Sequence, residues 1–371
     1  MASAMVALMT ACSGTAEKTL TKSGLDPDKF LTDSTALYTL TNANGMEVCV
    51  TNYGGRIVSV MVPGRDGVMR DVVLGFDSIQ DYLPENNLSD FGASIGRYAN
   101  RINQGVIIID GDSIQLPQNN YGHCLHGGPT GWQYQVYEAK QLNDSTLVLT
   151  ITSPDGDNNF PGNVVATTTY TLTGDNAIDI AYSATTDATT VINMTNHSYF
   201  NLNGDPDQAI TDNLLTVNAD YFTPVDSTFM TTGEISPVAG TPMDFTQAKV
   251  IGAEINNYDY DQLKNGNGYD HNWVLNTKGD DTQVAATLVS PSTGIQLDVL
   301  TDEPGIQVYS GNFLDGTVTG KGGKVYNQRA AICLETQHYP DSPNKPEWPS
   351  VILEPGQTYN SHCVFRFSVA E

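Results

Sequence analysis

From about residue 30 onward the hydrophobic and polar positions form a pattern of strands and turns, with almost no helical periodicity. Short runs rich in Val, Ile, Thr and Tyr fall at 38–40, 48–51, 57–62, 106–109, 147–152, 164–172, 178–184, 214–217, 285–290, 295–300, 308–310, 330–334 and 363–369. Asn44-Gly45, Asp66-Gly67, Asp110-Gly111 and Asp155-Gly156 lie between such runs, and dipeptides of this kind supply the positive φ angles of tight hairpins. Helix is expected only in two short pieces, 78–82 and 247–250. No repeat, low-complexity tract or linker divides 30–371. The pattern predicts an all-β fold, one large antiparallel β-sandwich whose many short strands need two packed sheets. Long loops on that rigid scaffold would carry the chemistry.

Residues 1–29 stand apart. The first fourteen, MASAMVALMTACSG, are small and apolar before the chain turns polar. Met9-Thr10-Ala11-Cys12 resembles a bacterial lipobox, in which the cysteine that follows the cleavage point receives a lipid. The run is too short to span a bilayer as a helix and lacks a positively charged start. Two readings stay open. In one, this is a lipoprotein-type signal remnant, Cys12 carries a lipid anchor, and 14–29 tethers a periplasm-facing domain to the bacterial cell envelope. In the other the signal is not real and the protein is cytoplasmic. Four further cysteines, Cys49, Cys124, Cys333 and Cys363, match no zinc or redox spacing, although one pair could bridge in an oxidising envelope.

Charge narrows the partners more than the fold. Seventeen Lys plus Arg face 42 Asp plus Glu, for a net charge of −25. With no basic stripe to displace the counterions of phosphates, nucleic acid is excluded as a partner. The same balance disfavours a strongly phosphorylated substrate and suits a neutral ligand.

Residues 331–344, AICLETQHYPDSPN, place Glu335 behind the apolar run Ile332, Cys333, Leu334 and ahead of a turn rich in Pro and Asp. An acid at a strand end on the rim of a β-rich protein is where a catalytic base is expected, although a Glu taken alone is more often solvated. Three segments give histidines a built context: His126 in Leu-His-Gly-Gly, His197 in TNHSYFNL, and GYDHNW, which sets Asp270 beside His271. Singly, each histidine is more often structural than catalytic. His123, His338 and His362 lack such context and are expected to be structural. His123 and His126 are three apart, but no further ligands follow with metal-site spacing, so no metal is expected. Asn100 and Arg101, in GRYANRI, add an amide and a guanidinium fork able to hold vicinal hydroxyls, while Arg97 is expected in a structural ion pair. No P-loop, GxGxxG or GxSxG appears, so nucleotide cofactors and serine-hydrolase chemistry lack support. One Glu, several His, an Asp, an Arg and aromatics can transfer protons on a neutral polyol. A glycosidase would draw on a similar inventory.

Taken together, these segments resemble the aldose 1-epimerase (galactose mutarotase) family over essentially all of 30–371. The matching pieces are NYGG at 52–55, GRYANRI at 96–102, LHGG at 125–128, SPDGDNNFPG at 153–162, TNHSYFNL at 195–202, GEISPVAGTPMDF at 233–245, 268–275, 301–305 with 309–313, and 334–344. The stretch after Gly128, PTGWQYQVY, departs from relatives that place an Arg or Lys and a later Trp there. The resemblance implies a mutarotase-like β-sandwich with a shallow sugar cleft on one sheet face, acting on a free monosaccharide without cofactor. The sequence leaves the oligomeric state open, with a monomer expected. It implies that Glu335 is the general base for the anomeric hydroxyl and His197 the general acid for the ring oxygen. Arg101, His126 and Asp270 would hold sugar hydroxyls, with Asn100 and Gln307 as weaker contacts. That acid role requires His197 to start protonated, so its pKa is expected near or above working pH, held there by nearby acids. A hexose-6-phosphate epimerase and a non-catalytic envelope sugar-binding protein are the alternatives.

Overall fold

The computed structural model describes residues 19–370. The signal-like residues and Cys12 lie outside them. Residues 19–29, expected as tether, are already part of the packed body. Leu25 is buried in an apolar cluster with Phe30, and the Lys22 N–H donates to Glu47 Oε1 at 2.7 Å.

Alternation dictates the architecture. In Val164–Leu172 every second residue is buried, the pattern of a strand with one face on a core. This strand belongs to a nine-stranded antiparallel sheet that runs from Glu138–Asn143 at one edge, through Ala177–Thr186 and Tyr359–Val369, to Lys249–Val250 at the other. A six-stranded antiparallel sheet holds, in order, Tyr199–Phe200, Ile332–Gln337, Gly305–Tyr309, Asp270–Val274, Tyr221–Thr223 and Ser236–Pro237. One apolar cluster joins them, with Trp273, Ile306, Ile332 and Leu334 from the smaller sheet and Leu297, Val299, Phe365 and Phe367 from the larger. A four-stranded sheet over 37–71 adds Val48, Val50, Ile57 and Val60 to the same core. The all-β sandwich is what the pattern predicts.

Two local expectations meet different fates. Asp110 and Gly111 form the two-residue turn between Val106–Ile109 and Asp112–Gln115 with φ of 54° and 90°, the conformation that Asp-Gly supplies in a hairpin. Residues 79–82 form a short 3₁₀ turn, but 247–250 do not form helix. Lys249 and Val250 pair with Leu215 and Leu214 at the sheet edge, because an open edge offers backbone partners that a four-residue helix cannot. The one α-helix among the described residues, Asp261–Gly266, lies where none was expected.

Candidate active site

Glu335 sits inside the strand Ile332–Gln337, not at its end, and is 2% exposed. The expected turn begins only after Gln337. The strand continues because Gly305–Tyr309 pairs with its whole length, Gln307 opposite Glu335. With Ile332 and Leu334 pointing into the core, Cys333 and Glu335 project from the opposite face. The same alternation holds next door: Ile306 and Val308 face the core, Gln307 and Tyr309 do not. One strand further on, Asn272 pairs with Gln307 and Asp270 with Tyr309. Strand register thus assembles one polar row from three distant segments.

His197 arrives from another direction. Its strand, Thr195–His197, pairs with Ala93–Ile95, and its ring stacks on Tyr199 with centroids 5.1 Å apart. Nε2 of His197 lies 3.5 Å from Oε2 of Glu335. That separation is a contact rather than a hydrogen bond, and Oε2 is left without a hydrogen-bond partner. On the other side of the ring, Nδ1 is 3.6 Å from Cys333 Sγ.

His126 is held by the Leu-His-Gly-Gly loop at 125–128. Its φ is 50° and that of Gly127 is 78°, and a Cβ on Gly127 would lie 2.3 Å from the Gly96 carbonyl oxygen. The glycine is therefore required by close approach of two backbones. His126 Nδ1 accepts the Asn100 N–H at 3.1 Å, so the neutral ring carries its hydrogen on Nε2. Arg101 donates from Nε to Asn120 Oδ1 at 3.1 Å and lies over the Phe229 ring.

These groups line one cleft of about 350 Å³, together with Asn100, Asp270, Tyr199, Tyr309 and Asp90. Glu335, His197, Arg101, His126, Asp270 and Asn100 are all brought to it, as their segments suggested. Gln307 does not line the cleft. It lies beneath Asp270 and donates to its Oδ1 at 2.7 Å. Arg97 is a buried structural residue, donating to the Pro161 carbonyl and Ser153 Oγ, each at 2.7 Å. His123, His338 and His362 are held by Thr228, Glu303 and an Asp179–Asp281 pair respectively. His271 turns toward the core against Phe222 and Trp273. The four cysteines among the described residues are buried free thiols, so no pair bridges.

Burial governs the electrostatics. Glu335 is pushed well above the usual carboxylate range by burial first, then by Asp270 and Asp90, against Arg101. Asp270 is also raised by burial, with Arg101 and Gln307 opposing. His126 is pushed down to about 3. His197 is likewise lowered, contrary to the expectation that acids would hold it protonated: the loss of solvation around its ring outweighs the opposing Asp90 carboxylate.

Asp90 went unnoticed in the sequence because nothing in Leu-Ser-Asp-Phe-Gly marks it. Donor atoms of Asp90, His126 and His197 lie within 4.8 Å of one another. Their residue types suit a metal, but the tautomer does not. A ring whose Nδ1 accepts a backbone N–H turns Nε2–H, not a lone pair, toward the cleft.

The family model for aldose 1-epimerase matches residues 36–366. A galactose mutarotase from Sus scrofa is 40% identical over 325 residues, which is 88% of this chain and 92% of that protein. An aldose 1-epimerase from Escherichia coli K12 is 40% identical over 333 residues, 89% of this chain and 94% of that protein. Among solved structures, an aldose epimerase homologue from C. elegans has a TM-score of 0.82 at 30% identity, covering 91% of this chain and all of that one. A galactose 1-epimerase from Lactobacillus acidophilus has a TM-score of 0.80 at 30% identity, covering 91% of this chain and 95% of that one. By sequence along nearly its whole length and by fold, this chain belongs to the aldose 1-epimerase family.

Proposed function

We propose that this protein is an aldose 1-epimerase that interconverts the α and β anomers of free aldoses such as glucose and galactose. The observation that carries the reading is the pair Glu335 and His197, 3.5 Å apart inside a cleft lined by Arg101, His126 and Asp270. Glu335 takes the proton of the anomeric hydroxyl. The C1–O5 bond breaks as the C1 carbonyl forms, and His197 delivers a proton to O5. The aldehyde turns about C1–C2, the ring recloses on its other face, and both protons return. Four proton transfers, two on opening and two on reclosure, complete the cycle, so the chemistry requires no cofactor.

One proton serves the pair. Burial favours it on Glu335 beside a neutral imidazole, whereas the reaction needs it on His197 with the carboxylate free. Sugar hydroxyls donating to Glu335 favour the reactive arrangement by replacing the carboxylate's lost water. Positioned acid–base groups of this kind supply about a hundred- to ten-thousand-fold each, and holding the ring against both supplies more. Asp270 and Arg101 bind hydroxyls, and Gln307 acts through Asp270. A phosphorylated hexose fits less well, since Arg101 is the one Lys or Arg among the described residues that lines the cleft.

All of these groups come from one chain, which supports activity as a monomer. Lipid anchoring at Cys12 and an envelope location belong to the same proposal, supported by the lipobox-like residues 9–12. Labelling with a radioactive fatty acid, lost in Cys12→Ser, tests them.

The deciding experiment is polarimetry of freshly dissolved α-D-glucose and α-D-galactose. Faster approach to an unchanged final rotation, lost in Glu335→Gln, is the expected result. Saturable sugar binding without acceleration would replace the enzyme with a sugar-binding protein.

A further inference from the structure

Asp90 belongs to the short connection between the 3₁₀ turn Ile79–Tyr82 and the strand Ala93–Ile95. That connection is pinned. The Ala93 N–H donates to the Asp90 carbonyl at 3.0 Å, and the Gly92 N–H to the His197 carbonyl at 3.0 Å. A Cβ on Gly92 would lie 1.9 Å from the Ile57 carbonyl oxygen, so the backbone there has no room to move. His197 pairs with Ala93 in the strand register, which sets the Asp90 side chain above the two cleft imidazoles. Asp90 lines the cleft, and its Oδ1 is buried with no hydrogen-bond partner. An unpartnered buried carboxylate oxygen is costly unless a ligand satisfies it.

What would satisfy it is set by the neighbour. His126 offers Nε2–H, because its Nδ1 accepts the Asn100 N–H. A carboxylate oxygen of Asp90 and a ring nitrogen of His126 lie within 4.8 Å of each other, so the two side chains, an acceptor and a donor, can address one group between them. A hydroxyl is the group that matches both, since it accepts one hydrogen bond and donates another. A bare carbon, a fluorine or a methyl ether cannot do both.

We propose that Asp90 is a substrate-binding and specificity-determining residue which, with His126, clamps one ring hydroxyl of the aldose. Nε2–H of His126 donates to the hydroxyl oxygen, and that hydroxyl donates to Oδ1 of Asp90. The clamp selects neutral pyranoses that carry a hydroxyl at this position over their deoxy, fluoro and O-methyl counterparts. It rests on the cleft being a sugar site, as the proposed function has it, but not on turnover.

Calorimetric binding of galactose and glucose, and of their singly deoxygenated derivatives, tests it on the wild type, Asp90→Ala and the near-isosteric Asp90→Asn. Hydrogen bonds to charged groups lead us to expect galactose or glucose affinity to fall about ten- to a hundredfold in Asp90→Ala. For one deoxy sugar, the one lacking the clamped hydroxyl, wild type and variant should agree within about threefold, the double-mutant signature of a direct contact. Equal losses across every deoxy sugar, or no loss for any, would overturn the clamp. Circular dichroism guards against misfolding, and Asp90→Asn, whose amide oxygen still accepts a hydrogen bond, should lose less affinity than Asp90→Ala; a greater loss in Asp90→Asn would also overturn the clamp. If sugars bind with this Asp90 dependence but are not epimerised, the clamp stands and the epimerase reading falls.

Discussion

Gln307 stands opposite Glu335 in the register of adjacent strands, yet its amide Nε2 donates to Asp270 Oδ1 at 2.7 Å rather than to the base. The amide thus fixes a carboxylate that lines the cleft and leaves Glu335 Oε2 unpartnered. Gln307→Ala should raise KM for galactose about fivefold, the loss of one hydrogen bond of about 1 kcal/mol, with kcat changed less. Asp270→Ala should raise KM further. Steady-state kinetics with both variants checks this, and an unchanged KM for Asp270→Ala would remove Asp270 from sugar binding.

Glu335→Gln should abolish turnover while galactose still binds. It should also make the protein more stable at alkaline pH. The folded chain resists ionising Glu335, because burial lifts its pKa well above 4.5, whereas the unfolded chain ionises freely. Below the ordinary carboxylate range both states keep the proton and this group favours the fold fully. That contribution fades as pH rises toward the raised folded value, and glutamine never loses it. Thermal melts should therefore separate the two proteins more at pH 8 than at pH 5. A variant less stable than wild type at both pH values would contradict this.

The shared proton predicts the shape of the pH–rate profile. The reactive form holds one proton between Glu335 and His197, so activity should fall on the alkaline side as the pair loses it. That limb lies above the ordinary carboxylate range, because burial raises Glu335. On the acid side a second proton is resisted by the lowered His197, and the limb lies below the ordinary histidine range. His197→Asn should lose at least about a hundredfold in kcat. A profile centred on an ordinary histidine pKa near 6.5 would point to a solvated, independently titrating His197.

Arg97 should matter for folding rather than chemistry. The residue is 2% exposed, and its guanidinium donates to the Pro161, Ser153 and Pro154 carbonyls and to the Ser153 and Thr190 hydroxyls. Arg97→Ala orphans those acceptors at a cost of about 2 kcal/mol or more. Denaturant unfolding should report that loss, while KM of the folded fraction stays near wild type.

The strands were legible because alternation is a local property. Val164–Leu172 and Ala177–Thr186 announce themselves in any nine-residue window, and Asp110-Gly111 names its own turn. Asp270–Val274, Asp-His-Asn-Trp-Val, was not read as a strand, since its faces are polar against the cleft and mixed against the core. Its strand character comes from pairing with Gly305–Tyr309. The helix Asp261–Gly266 is too short to show a period.

Most of the cleft could be listed from motifs, but not what each member does there. Glu335 looked like a strand-end acid and is a buried mid-strand one. His197 looked set to have its pKa held up by nearby acids and has it lowered instead, because desolvation depends on what covers the ring and no local pattern encodes that. Gln307 looked like a sugar contact, and strand pairing gives its amide a second place, against Asp270. Asp90 was invisible, because its place is set by the pairing of Ala93 with His197, 104 positions further along. Which residues alternate, turn and carry chemistry is written in neighbouring letters. Which of them meet, how dry their meeting place is, and where the shared proton rests follow from strand register and burial, which arise only once distant segments pack.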